Sequence, residues 1–352
     1  MKRWIRGVTC CLLLCVLVCG TLNIGAAAAT QTGTGQDADY STLELIPGGV
    51  PVGVKFTTDG VLVVGFCDIP TDSGAKNPAR DAGLRLRDVL THMDGEEITS
   101  ADDMTERITA SGGTPIRVRY TRGGKSGETE LTPVADATGS YKTGLYVRDS
   151  GAGIGTVTFF VPGSGAFAGL GHGICDVDTG ELMPLRRGNV VDVTISGINR
   201  GAAGAPGELR GYFGAGKQGT LLGNTSCGVY GLYRQMPDCV PATTCGIVTR
   251  DERREGDASV LCTLSSNERH EYAINISAID RDARGSKCFT VKITDEALLA
   301  ETGGIVQGMS GSPILQDGKL VGAVTHVLIN NPTVGYGIFV ENMLDRMGDL
   351  AG

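Results

Sequence analysis

The chain has 352 residues, 54 of them glycine, with 5% aromatic and 20% charged residues and a formal net charge of −8. That length holds more than one domain, and the glycine-rich, aromatic-poor balance suits short strands and tight turns rather than long helices. The acidic balance excludes nucleic acid as the main partner, because a basic stripe is what displaces counterions from phosphate.

Lys2, Arg3 and Arg6 precede an apolar run from Val8 to about Ile24 and the small residues Ala26 to Ala29. This is the pattern of an export signal. The run is also just long enough to serve as an anchor, so residues 1–29 are expected to be a signal peptide or membrane anchor. The rest of the chain is then expected outside the cytoplasm. Small polar residues make 30–43 a linker. Beyond the export segment stand seven cysteines, Cys67, Cys175, Cys227, Cys239, Cys245, Cys262 and Cys288. An odd number predicts at least one free thiol or an intermolecular bond, with the pairing left open. No C-x-x-C pair occurs, so no metal site is expected.

From Glu44 to Val134 the pattern is compact. Val61-Leu-Val-Val reads as a buried strand, and Asn77 to Leu90 as a helical turn leading into another. Asp94-Gly95 marks a hairpin. Ser100 to Ala110 reads as a capped helix, with Ser100 at the N-cap and apolar Met104 and Ile108 four residues apart. Ile116 to Tyr120 alternates as a half-buried strand, which Gly123-Gly124 turns back. The run Pro78-Ala79, Ala82-Gly83-Leu84, Asp88-Val89-Leu90, Asp94-Gly95 resembles the core signature of bacterial PDZ domains, placing such a domain at 44–134. Pro47-Gly-Gly-Val-Pro-Val-Gly-Val54 is similar to the loop and strand of their peptide groove. That likeness implies peptide contacts at Gly49, Val50, Val52, Gly53 and Val54, where free amides and an open strand edge take an extended peptide.

Residues 135–143 form a polar joint. The chain then reads as short strands between Gly, Asn and Asp turns: Gly155 to Val161, Val190 to Ile195, Gly246 to Thr249, Phe289 to Ile293, Leu320 to Thr325 and Val334 to Val340. A short helix closes it near Glu341 to Leu350. That is a barrel or sandwich pattern over 135–352.

Gly308-Met-Ser-Gly-Ser-Pro313 carries the clearest chemistry. A nucleophilic serine needs a sharp turn that exposes its hydroxyl and aims nearby amides at one point, where they hold a developing oxyanion. The turn, the Asp317-Gly318 hairpin and the strand from Leu320 to His326 resemble the nucleophile segment of chymotrypsin-like proteases. The oxyanion donors are then the amides of Gly308 and Ser310. A base must reach the serine. His92 lies within the PDZ pattern, His270 reads as a solvated loop residue, and His326 ends the strand after the nucleophile hairpin. His172, in Gly169-Leu-Gly-His-Gly-Ile174, has small neighbours that leave its ring room, and it is the expected base. The orienting acid is open among Asp176, Asp178, Asp192, Asp251, Asp280 and Asp295.

A closer resemblance covers nearly the whole chain. Gly60-Val-Leu-Val-Val-Gly, Val147 to Thr156, Gly171-His-Gly-Ile-Cys-Asp-Val-Asp-Thr-Gly, Ile293-Thr-Asp295, Gly303 to Pro313 and Tyr336-Gly-Ile-Phe-Val resemble the SpoIVB peptidases (stage IV sporulation protein B). The resemblance implies a mainly β protein, with an N-terminal PDZ domain followed by a chymotrypsin-like double β-barrel serine endopeptidase. It implies a triad of His172, Asp295 and Ser310, and no cofactor. It further implies export to the forespore intermembrane space, cleavage of a membrane-associated regulator of an intramembrane protease, release of a late sigma factor, and self-cleavage. A non-catalytic PDZ peptide-binding scaffold and a general extracytoplasmic quality-control protease are the alternative readings.

Overall fold

The computed structural model describes residues 39–349. The expected signal or anchor at 1–29 and most of the expected linker at 30–43 lie outside them. The described chain is mainly β, a PDZ unit and two closed barrels.

The first barrel closes in the order Pro51–Phe66, Leu145–Phe160, Ala166–Gly169, Gly228–Tyr233, Glu208–Thr225 and Leu185–Asn199, the last pairing again with the first. Its interior holds Val52, Val54, Phe160, Phe167, Val190, Leu221 and Tyr233. Phe160 and Phe167 meet the Tyr233 ring edge-on at 5.3 and 5.0 Å between centroids, the geometry that aromatic quadrupoles favour. The second barrel closes through Gly256–Thr263, Arg269–Ser277, Phe289–Ile293, Asn331–Phe339, Lys319–Leu328 and Pro313–Gln316.

Its core, with Val260, Ile274, Phe289, Val291, Ile314, Val324 and Phe339, is continuous with Leu45, Phe159, Ala168 and Tyr230 of the first barrel. The two barrels therefore share one apolar seam. Burial of each such aromatic or branched side chain contributes about 1.5–3 kcal/mol, so the seam fixes their mutual placement.

The PDZ unit has its own core, from Val61 to Leu131. Within it the predicted details recur. The helix Ala101–Ala110 begins at Ser100, whose hydroxyl accepts the Asp103 amide at 3.1 Å, and buries Met104 and Ile108. Asp94 and Gly95 both take positive φ, as a two-residue hairpin requires. Asp88, fully buried, accepts both Arg122 Nε (2.6 Å) and Nη2 (2.7 Å).

Two expectations change. The segment placed at the start of the PDZ domain belongs to the first barrel: Ile46 pairs with Phe160, and Val52 to Thr57 pair with Ser150 to Gly155. The PDZ unit is thus inserted behind the first barrel strand, which runs unbroken from Pro51 into PDZ residues Val61 and Leu62. The groove assignment changes with it. Gly53 to Thr57 are hydrogen-bonded along both edges, to Leu145–Phe160 on one side and Leu185–Asn199 on the other. No edge remains there for a peptide. Val50, Val52 and Val54 point into the barrel core, and Gly49 is tied by its amide to the Val157 carbonyl (2.8 Å) and by its carbonyl to the Thr263 hydroxyl (2.9 Å). The glycine-valine pattern reads alike for a groove and for a barrel strand, and burial decided between them.

Candidate active site

The site lies where the barrels meet. Ser310 leaves the second barrel on a turn between Val306 and Pro313, and the first barrel grips that turn from behind. The Thr156 amide donates to the Ser310 carbonyl (2.9 Å), the Thr156 hydroxyl to the Gly308 carbonyl (2.8 Å), and the Thr158 hydroxyl to the Gly311 carbonyl (2.8 Å). Both threonines are buried. Successive side chains of a strand alternate, so Thr156 and Thr158 share a face that turns away from the barrel interior and toward the serine. The Thr-Val-Thr alternation was visible in the sequence but carried no sign of partners 152 and 153 residues away.

The turn itself depends on glycine. Gly308 and Gly311 take φ of +99° and +95°, a region that side chains with a Cβ rarely enter. Met309, Gly311 and Ser312 donate their amides to Val306, Val324 and Met309 carbonyls. Among the described residues, the amides of Gly308 and Ser310 donate to no protein acceptor. These are the two donors expected to hold an oxyanion.

The strand Ala166–Gly169 delivers His172. It ends in Leu170 and Gly171, both with positive φ (64° and 68°). A left-handed leucine is strained by about 1–3 kcal/mol, and it is held because its amide bonds the Thr156 carbonyl (3.1 Å) while its side chain is buried against Gly155. Asn224 then fastens the chain after the histidine, accepting the Ile174 amide (2.8 Å) and donating to the Ile174 and Met183 carbonyls (2.9 Å each). The His172 ring lies 4.9 Å from that of His326, and its Nδ1 is 2.8 Å from the Gly173 carbonyl. A carbonyl only accepts, so Nδ1 carries the proton and Nε2 is the basic nitrogen. Burial pushes the His172 pKa below its ordinary value, against the smaller upward pull of the Gly173 carbonyl.

Ser310 Oγ donates to the Thr325 carbonyl at 2.7 Å. Among the described residues no hydrogen bond joins it to His172. Thr325 sits where the pairing of Lys319–Leu328 with Asn331–Phe339 slips between Val324 and His326, a bulge of the kind that re-aims groups beside active sites. Its own hydroxyl donates to the Ser286 and Tyr336 carbonyls.

Asp295 is elsewhere. Its carboxylate accepts the Leu298 amide (3.0 Å) and the Ala273 amide (3.3 Å), capping the helix Glu296–Thr302. The residue expected as the triad acid is thus a helix cap, and among the described residues no hydrogen bond joins it to His172.

The other acids weighed have partners of their own. Buried Asp176 pairs with Arg148 and accepts the Thr179 amide, and Asp178 shares Arg148. Asp192 accepts Gln218, Asp280 accepts the Asp282 amide, and Asp251 is exposed on a short 3-10 turn. None bonds His172. His92 bonds Thr91 in the PDZ sheet, and His270 is exposed on the strand Arg269–Ser277, where a loop was expected. All seven cysteines among the described residues stand as free thiols.

Two family models match the chain. A family model for the SpoIVB peptidase, S55, matches residues 139–344, and a PDZ domain model matches 52–132, its first residues being the barrel strand described above. A Bartonella henselae protein described as a zinc metalloprotease is 39% identical over 57 residues, 16% of this chain and 16% of that one. The chain thus spans only a small part of the length of that curated relative. Among solved structures, the PDZ domain of an SdrC-like protein from Listeria monocytogenes is 24% identical, covering 25% of this chain and 87% of its own, with a TM-score of 0.21. The active form of the Rv3671c protease from M. tuberculosis is 14% identical, covering 57% of this chain and 75% of its own, with a TM-score of 0.35.

Proposed function

The chain belongs to the SpoIVB peptidase S55 family, and from that premise we propose that it is a serine endopeptidase working by acyl transfer. One observation carries the reading: the serine turn of one barrel and the histidine turn of the other both bond Thr156. In this mechanism Ser310 Oγ attacks the scissile carbonyl carbon while its proton passes to Nε2 of His172. The oxyanion settles on the amides of Gly308 and Ser310, each such donor lowering the barrier by about 3 kcal/mol. The proton then leaves with the amine, and water repeats the sequence to free the serine. The hydroxyl must first leave the Thr325 carbonyl for the imidazole.

The substrate in this reading is a membrane-associated regulator of an intramembrane protease. Cleavage takes place outside the cytoplasmic membrane, in the forespore intermembrane space, and leads to activation of a late sigma factor. The export segment at 1–29 and self-cleavage belong to the same proposal. The family and its sporulation role, as the sequence resemblance implies them, support it.

A fluorophosphonate probe tests the catalytic core. Stoichiometric labelling that is lost in Ser310→Ala, with the folded state kept, is the expected result. Cleavage of the chain or its substrate by a well-folded Ser310→Ala protein would end the proposal.

A further inference from the structure

Asp176 does not bond the base, yet it holds the loop that follows it. Its side chain is wholly buried, four residues after His172. One carboxylate oxygen accepts the amides of Asp178 (3.1 Å) and Thr179 (2.8 Å) and the Thr179 hydroxyl (2.8 Å). These bonds close a turn. The other oxygen takes Nη1 of Arg148, and Nη2 of the same guanidinium reaches Asp178 at 2.9 Å. A carboxylate leaves water only where partners of this kind replace it.

The turn reaches the base through a short hairpin. Cys175 bridges Leu182, the Asp176 amide donates to the Glu181 carbonyl (2.8 Å), and the Met183 amide donates to the Ile174 carbonyl (3.1 Å). Gly173, at the foot of this hairpin, supplies the carbonyl that fixes the His172 tautomer. It packs directly on its surroundings: a Cβ there would come within 2.3 Å of the Leu182 side chain and 2.7 Å of the Thr225 carbonyl. Arg148 belongs to the strand Leu145–Phe160, whose Thr156 and Thr158 grip the serine turn. One strand therefore holds the nucleophile near one end and the base loop near the other.

We propose that Arg148 and Asp176 are positioning residues for His172, their ion pair tying the hairpin behind the base to the strand that fixes Ser310. The proposal rests on the serine peptidase reading and adds no group to its chemistry. Among the described residues no hydrogen bond joins either side chain to His172 or Ser310. Their effect is on placement, where an error of about 1 Å costs about a hundredfold in rate.

A loosened hairpin changes the base in a way that lost stability alone does not. Burial holds His172 below its ordinary 6.5, against the smaller upward pull of the Gly173 carbonyl. Water admitted to a freed loop removes the larger effect, so the acid limb of activity moves up toward 6.5. The groups facing His172 are His326, on which Lys287 acts, and the Cys175 thiol; on the hairpin Asp178 and Glu181 pair with Arg148 and Arg87. His326 titrates at about 4, and burial pushes Cys175 above its ordinary value. Neither gives a limb in that window.

The test is the rate at which a fluorophosphonate labels Ser310 in the full chain, measured from pH 4 to 9. Arg148→Met keeps a stem and removes the charge and both bonds. It is expected to label at least tenfold more slowly than wild type, with its acid limb moved toward 6.5. Thr179→Val keeps the volume and every charge while removing one bond to Asp176. It is expected to move the limb in the same direction by less, and it carries the comparison if Arg148→Met does not fold. Arg122→Ala, which breaks the buried pair of the PDZ unit, is expected to lower the Tm and leave the limb in place. Wild-type rate and limb in folded Arg148→Met, or in Thr179→Val where that variant stands in, would overturn this inference alone. So would an equal limb shift in Arg122→Ala, the mark of general loosening. Failure of the wild-type protein to label at all would instead overturn the serine peptidase reading, and this inference with it.

Discussion

Gly311 lies directly against Leu170: a Cβ built on the glycine would come within 2.9 Å of the leucine Cα, and closer still to the Thr156 carbonyl. That contact presses the nucleophile turn onto the strand that presents the base. Gly311→Ala must therefore either push the two turns apart or strain a φ of +95°. Loss of several kcal/mol of stability is expected, as for overpacking combined with a forbidden backbone, together with loss of probe labelling. Thermal melting and labelling of the same sample check both. Wild-type labelling in Gly311→Ala would show that the turns do not need this closeness.

Acid should weaken the fold through the two histidines. Both have folded-state pKa values below the ordinary 6.5, that of His326 at about 4. Between those values the unfolded chain binds more protons, so stability rises with pH across the window and is lost as pH falls from 6.5 toward 4. The Tm of wild type relative to that of His326→Phe should therefore fall on acidification. A difference that stays constant from pH 7.5 to 4.5 would contradict the burial argument.

The acid limb of activity follows the same direction. The base works when neutral, so the rate climbs as pH passes upward through the His172 pKa. Burial sets that pKa below 6.5, and half-maximal labelling is expected at a pH below the usual histidine value. A limb above pH 7 would point to an anion beside His172.

Asp295→Ala removes a helix cap and a second bond to the Ala273 amide. Cap loss costs about 1 kcal/mol, and chemical denaturation should show a midpoint shift of that order. Labelling per folded molecule should survive. Abolished labelling in a folded Asp295→Ala protein would restore the aspartate to the catalytic unit.

In the PDZ unit, Arg122→Ala strands the buried carboxylate of Asp88 with only the Arg85 amide. Breaking a buried pair costs about 3–5 kcal/mol. The lower end applies, because the Arg122 side chain is 32% exposed. Because the strand from Pro51 runs through both units, the loss should register in the melting of the whole molecule. A separate, earlier PDZ transition would show that the shared strand does not couple them.

The parts of this protein that were legible in the sequence are those that local chemistry dictates. Ser100 announces a helix because its hydroxyl meets an amide three residues on. Asp94-Gly95 announces a hairpin because both positions need positive φ, and Phe289 to Ile293 appears as the strand its alternation describes. Gly308-Met-Ser-Gly-Ser-Pro313 likewise shows its turn without help from the rest of the fold. Asp295 was assigned by resemblance, and a carboxylate one residue before a helix was equally well placed to be its cap.

What lay beyond the sequence was every choice of partner. The alternation in Val50 to Phe56 specifies a strand with one buried face, but a peptide groove and a barrel satisfy it equally. Only burial between Leu145–Phe160 and Leu185–Asn199 settled the matter. His172 and His326, 154 positions apart by number, became neighbours for the same reason. Period and propensity act over a few residues, whereas pairing is decided by which distant surfaces exclude water together. Local residues determined the elements and the nucleophile's turn. The closing of two barrels across a shared apolar seam decided what stands beside the base.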